Sequence, residues 1–168
     1  VHQQNLDFLP SINLIQALNE NQNLRFSASQ TLNRPEYREL APFAFYDFST
    51  QFVLSGNDTL QRAKILNLDT RYEYYPGNGQ LITASFFVKH FTNPIEQIAR
   101  PDVMNEISYK NVGNAINYGM ELEFKLNLGA TFKSDSNSFL QNTTFFTNLG
   151  FINQDHCKVS PLMFSILA

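Results

Sequence analysis

The chain has 168 residues and a formal net charge of −3, and 14% of it is aromatic, as 16 Phe and 7 Tyr with no Trp. That length admits one domain of about 100 to 200 residues, and the absence of any Lys/Arg cluster removes nucleic acid as a partner. A lone Cys157 leaves no intramolecular disulfide, no CxxC and no metal-ligand spacing. No run reaches the roughly 18 apolar residues of a membrane helix, although membrane barrels escape that test because their strands alternate.

In chain order, a first strand is expected over Ile12 to Leu18, since Pro10 is tolerated before a strand but not inside one. After the short polar turn Asn19 to Asn23, Leu24, Phe26, Ala28 and Leu32 alternate with Arg25, Ser27, Ser29 and Thr31, the period-2 signature of a strand with two unlike faces. A long connection from Asn33 to about Lys64 follows. The clearest strand then sets Leu66, Leu68, Thr70, Tyr72 and Tyr74 against Asn67, Asp69, Arg71 and Glu73, and it runs into the short turn Pro76-Gly77-Asn78-Gly79. Ile82, Ala84, Phe86 and Val88 oppose Thr83, Ser85, Phe87 and Lys89. A second long connection spans about Thr92 to Lys110, and Tyr118, Met120, Leu122, Phe124 and Leu126 then oppose Gly119, Glu121, Glu123 and Lys125. After a polar stretch from Asn127 to Ser138, a last strand with mixed faces is expected over Phe139 to Phe151.

Short and long connections therefore alternate. Long structureless loops are uncommon in a compact domain, whereas an outer-membrane barrel has short periplasmic turns and long extracellular loops. The expected fold is all-β, an antiparallel up-and-down meander of about six strands, with Leu/Phe/Tyr faces toward lipid and charged faces toward the lumen. Tyr72, Tyr74 and Tyr75 beside the short turn suit the headgroup zone. A soluble antiparallel sheet with one face on a core gives the same alternation. A carbohydrate-binding sandwich therefore stands as an alternative.

The segments Asp7-Phe8-Leu9-Pro10-Ser11-Ile12-Asn13, Asn23-Leu24-Arg25-Phe26-Ser27 and Gln30 to Phe43, then Asn67 to Glu73, Phe86-Phe87-Val88-Lys89 with Asn93-Pro94-Ile95-Glu96, and Tyr118 to Glu123, resemble successive barrel strands of TonB-dependent receptors of the Bacteroidetes type. The resemblance covers about residues 7 to 150. It implies a bacterial outer-membrane protein, a barrel of about 22 strands, a plug domain of the same protein, TonB as energising partner, and import of a scarce small molecule such as a siderophore or glycan. Another outer-membrane barrel, a porin or adhesin, is the nearest alternative. On this reading residues 1–153 are a partial barrel, residues 154–168 an atypical tail, and the chain is truncated at both ends.

Two candidate sites emerge. The first long connection concentrates Arg34, Tyr37, Arg38, Phe45, Tyr46 and Asp47, joining guanidiniums that grip carboxylates or phosphates to flat apolar platforms. The plainer account pairs Arg34 and Arg38 with Glu36 and Glu39 and packs the phenylalanines onto the strand ends. Along the polar face, Asp69, Arg71, Glu73, Lys89, Glu121 and Glu123 line a solute path or, on the resemblance, hold the plug, with Arg71 and Glu73 the foremost plug contacts. A wet interior needs polar side chains in any case. His156-Cys157, His2 and His90 have no third partner at ligand or catalytic spacing, and no catalytic fingerprint is present. No enzyme activity, metal or cofactor is expected.

Overall fold

In a computed structural model of the chain the described residues are 6–77, 79–100, 103, 105–131, 139 and 143–156. They fall into two compact units, one built from residues up to Thr31, Leu66–Lys89 and Asn117–Gln154, the other chiefly from Leu32–Ile65 and His90–Ile116.

The first unit holds most of a six-stranded sheet. β1 (Ser11–Asn19) and β2 (Gln22–Asn33) form an antiparallel hairpin in register from Ser11 opposite Ser29 to Ala17 opposite Asn23, with a one-residue shift before Asn19 opposite Gln22. Its tight turn is closed by the Asn19 side chain, whose Oδ1 accepts from the Asn21 N–H at 2.9 Å, a local bond that turn-forming Asn makes readily. β5 (Ala63–Gly77) leads to β6 (Gln80–Thr92) through a turn in which Gly77 and Gly79 have φ of 106° and 71°, a left-handed backbone that residues with a Cβ avoid. β9 (Asn114–Asn127), a helical turn α2 (Leu128–Thr131) and β10 (Thr144–His156) complete it. The strand order is β1-β2-β5-β6-β9-β10, an antiparallel meander. Every strand expected from alternation is present. The last begins at Thr144 rather than Phe139 and continues to His156. Asn78 and residues 157–168, which include Cys157 and most of the expected tail, lie outside the described residues, as does His2.

The second unit differs from expectation. The two long connections, read from sequence as structureless loops, contain β3 (Ala44–Asp47) and β4 (Phe52–Ser55) in the first, with β7 (Ile95–Ala99) and β8 (Glu106–Asn111) in the second. Antiparallel hairpins β3–β4 and β7–β8 are joined by parallel pairing of β4 with β8, in the order β3-β4-β8-β7. Strands of four to six residues joined by pairings some 50 positions apart leave little periodic trace in a sequence window.

Burial separates the two units. Among the described residues the buried apolar side chains are Leu54, Leu60, Ala63, Tyr109 and Ala115, all in the second unit, while the buried polar ones, Glu73 and Thr83, are in the first. The first unit thus has no buried apolar core among its described residues. Ile12, Leu14, Phe26, Ala28, Leu68, Thr70, Phe86 and Val88 instead form one open apolar face across β1, β2, β5 and β6, with a shallow groove along it. Each large side chain left in water there forfeits about 1.5 to 3 kcal/mol of burial. A continuous apolar surface of this kind marks contact with an apolar partner or a membrane.

Candidate functional site

The opposite face of the sheet is polar, and period-2 geometry puts its side chains there. Asn67 of β5 donates through Nδ2 to Thr31 Oγ1 of β2 at 3.1 Å. Deeper along β5 lies a charge cluster centred on Glu73. Arg25 Nε stands 2.8 Å from Glu73 Oε1, Arg71 Nε 3.4 Å from the same oxygen, and the Tyr75 hydroxyl donates to Glu73 Oε2 at 3.0 Å. Arg71 Nη2 donates to Glu123 Oε2 at 3.0 Å. Because β6 lies between β5 and β9, that contact crosses two inter-strand spacings, about 10 Å, a reach that an extended arginine has and a lysine point charge uses less well. Glu73 is only 5% exposed, and two guanidiniums with a phenol satisfy its carboxylate, as burial of a charge requires. Arg71 Nε is buried without an aligned hydrogen bond, although its charge lies against Glu73.

Beside this cluster Gly119 of β9 is a close-approach position. A Cβ there would lie 2.5 Å from the Phe151 carbonyl oxygen of β10 and 2.7 Å from the Phe87 ring of β6. The glycine lets Phe87 lie across the strand, and the Lys89 ammonium sits 5.8 Å from the centre of that ring. Asp69, Glu121 and Lys125 are exposed on the same face and form no ion pair or hydrogen bond among the described residues.

The first long connection carries the other candidate. Its helical turn α1 (Tyr37–Leu40) is closed by a reciprocal capping box between Glu36 and Glu39, with the Glu36 N–H donating to Glu39 Oε2 at 2.9 Å. Both carboxylates therefore serve the turn rather than Arg38. The Arg38 guanidinium lies 4.5 Å above the centre of the Phe45 ring, within cation–π range, and has no carboxylate partner among the described residues. Tyr37, Arg38, Ala41, Phe43 and Phe45 line an open groove, of which Tyr37 is 95% exposed. Tyr46 turns its ring edge-on to Phe48, with centroids 5.1 Å apart. Asp47 serves its own turn, its Oδ1 accepting from the Ser49 hydroxyl at 2.6 Å and the Ser49 N–H at 2.9 Å. These bonds, the hydroxyl's foremost, hold its carboxyl below the usual range. Arg34 lines no part of the groove.

Of the residues singled out from sequence, the structure brings Arg71, Glu73 and Glu123 into one cluster and Tyr37, Arg38 and Phe45 into one groove. Lys89 is set against Phe87, Asp69 and Glu121 stand alone among the described residues, and Tyr46 and Asp47 are engaged locally. Arg25 and Tyr75, which complete the coordination of Glu73, were not singled out, although alternation already placed Arg25 on the polar face. Among the described residues no three His, Cys, Asp or Glu converge on a metal position, and His90 keeps no such company.

Residues 1–166 match the model of the outer membrane protein beta-barrel family. No curated protein matches the chain. Among solved structures it is similar to the siderophore receptor PirA from Pseudomonas aeruginosa, with a TM-score of 0.66 at 19% identity over 88% of this chain and 25% of that one. It is also similar to the ferric enterobactin receptor PfeA from the same organism, solved with enterobactin, with a TM-score of 0.58 at 25% identity over 73% and 20%. The siderophore receptor PirA from Acinetobacter baumannii is similar with a TM-score of 0.53 at 15% identity over 73% and 21%. The chain thus spans a fifth to a quarter of the length of these receptors.

Proposed function

The chain belongs to the outer membrane protein beta-barrel family, and on that premise we propose that it supplies barrel wall and ligand-capturing loops to a receptor importing a small anionic, aromatic ligand. Membership places it in the bacterial outer membrane, and together with the similarity to the receptor PfeA it bears out the resemblance to TonB-dependent receptors. The apolar face of the sheet then meets lipid, and the Glu73 face lines the lumen.

The observation that carries the ligand reading is Arg38, a cation stacked on Phe45 and flanked by Tyr37 and Phe43, with no carboxylate partner among the described residues. A flat ring carrying negative charge satisfies the guanidinium and the rings together, and the similar receptor PfeA is one solved with enterobactin. The TonB partner and the plug domain enter through the family resemblance. Arg71, Glu73 and Glu123 are neutralised within the wall, so Asp69, Glu121 and Lys125 are the side chains open to a plug or a passing solute.

Binding of ferric enterobactin, used as a probe, to the full-length protein in detergent tests the ligand reading. Arg38→Ala and Phe45→Ala each weaken it by about tenfold, the worth of one desolvated cation–π or charge-assisted contact. Unchanged affinity in both variants overturns the groove as the capture site.

A further inference from the structure

We propose that the two long connections act as one pre-assembled binding body in which β8 of the second holds the groove carried by the first, making Glu106, Tyr109 and Asn111 positioning residues for ligand capture. This rests on the groove reading above. Each connection contributes one hairpin, and a lone two-stranded hairpin is marginal in water, whereas four strands over a shared apolar surface are stable. Here the two hairpins complete each other. Val53, Leu54 and Ser55 pair in parallel with Glu106, Ile107 and Ser108, and one row of paired residues runs from Phe45 in the groove through Leu54 and Ile107 to Ala99.

Side chains extend the seam beyond the strands. Ser55 Oγ donates to Glu106 Oε1 at 2.6 Å, an oxygen also 3.1 Å from Arg100 Nη1. Asn57 Nδ2 donates to the Tyr109 carbonyl at 2.9 Å. The Asn111 amide behaves as a surrogate strand edge: Oδ1 accepts from the Gln61 N–H at 2.7 Å, and Nδ2 donates to the carbonyls of Gln61 and Asn93, both at 2.8 Å. Leu54, Leu60 and Tyr109 are buried. None of Glu106, Tyr109 or Asn111 lines the groove, so they act on it only through the sheet.

Amide hydrogen exchange on the ligand-free, full-length protein in detergent reads this coupling. Asn111→Ala removes three bonds, so exchange in segments 52–61 and 95–111 accelerates together, by at least about tenfold, while β5 and β6 are unchanged. Acceleration confined to 95–111 overturns the proposal. A Val53→Cys/Glu106→Cys pair in a Cys157→Ser background provides an independent reading, since paired strands hold Cα atoms within disulfide range. Oxidised and reduced forms bind ferric enterobactin within about twofold of each other if the connections move as one. A tenfold loss on oxidation that reduction restores shows that they part during capture, and overturns it. If the two segments exchange together while Arg38→Ala leaves binding untouched, the ligand reading falls and the coupled body stands.

Discussion

At Gly119 the wall tolerates no Cβ, because the nearest obstacle is the Phe151 backbone oxygen rather than a side chain that could turn aside. Gly119→Ala is expected to destabilise the folded barrel by about 1 to 3 kcal/mol, the usual range for overpacking. Gly113→Ala, with nothing within 4 Å of the added carbon, serves as the neutral control in the same denaturant titration. At Asp47 the prediction concerns pH. Its folded-state pKa lies below the unfolded value of about 3.9, so the stabilisation of the β3–β4 turn is complete above that value and is lost only as pH falls through the lowered one. The Asp47 carboxyl resonance should titrate below the unfolded value in the intact protein, and Ser49→Ala should return it upward. Residue-scale chemistry of this kind was partly legible: Asp47 was singled out for its charge, but its nearest donor, two positions on, makes it a turn residue.

Among the elements, β5 and β6 carry the clearest test of sidedness. Leu68 and Phe86 lie on the apolar face and Asn67 and Ser85 on the other, so Leu68→Arg and Phe86→Arg should each cost about 2 to 4 kcal/mol near mid-depth in a bilayer, and Asn67→Arg or Ser85→Arg much less. Equal costs on both faces in a lipid-refolding titration would count against this topology. The strands that cross the wall were readable because alternation is a property of neighbours in sequence and survives any tertiary arrangement. β3, β4, β7 and β8 were not, since four- to six-residue strands carry little alternation of their own, and their sheet is completed by the pairing of β4 with β8 in the other connection.

For the molecule as a whole, the distribution of burial decides the environment. Within the first unit the buried side chains among the described residues are Glu73 and Thr83 and the large apolar ones face outward, a polarity inverted relative to a water-soluble sandwich. The chain expressed alone should therefore associate in plain buffer and disperse in detergent, as sedimentation in the two media would show. A cooperatively folded monomer in water would refute the membrane assignment. The sequence by itself determined the strand periodicity, the two unlike faces and the alternation of short and long connections, because each is encoded within a few residues or in the spacing between segments. Only the tertiary structure decided which charges neutralise one another, as when Arg71 spans β6 to reach a Glu123 that lies 52 positions away, and that the two long connections fold as one sheet. Those outcomes depend on contacts between distant segments, whose free energy exists only once the chain has brought them together.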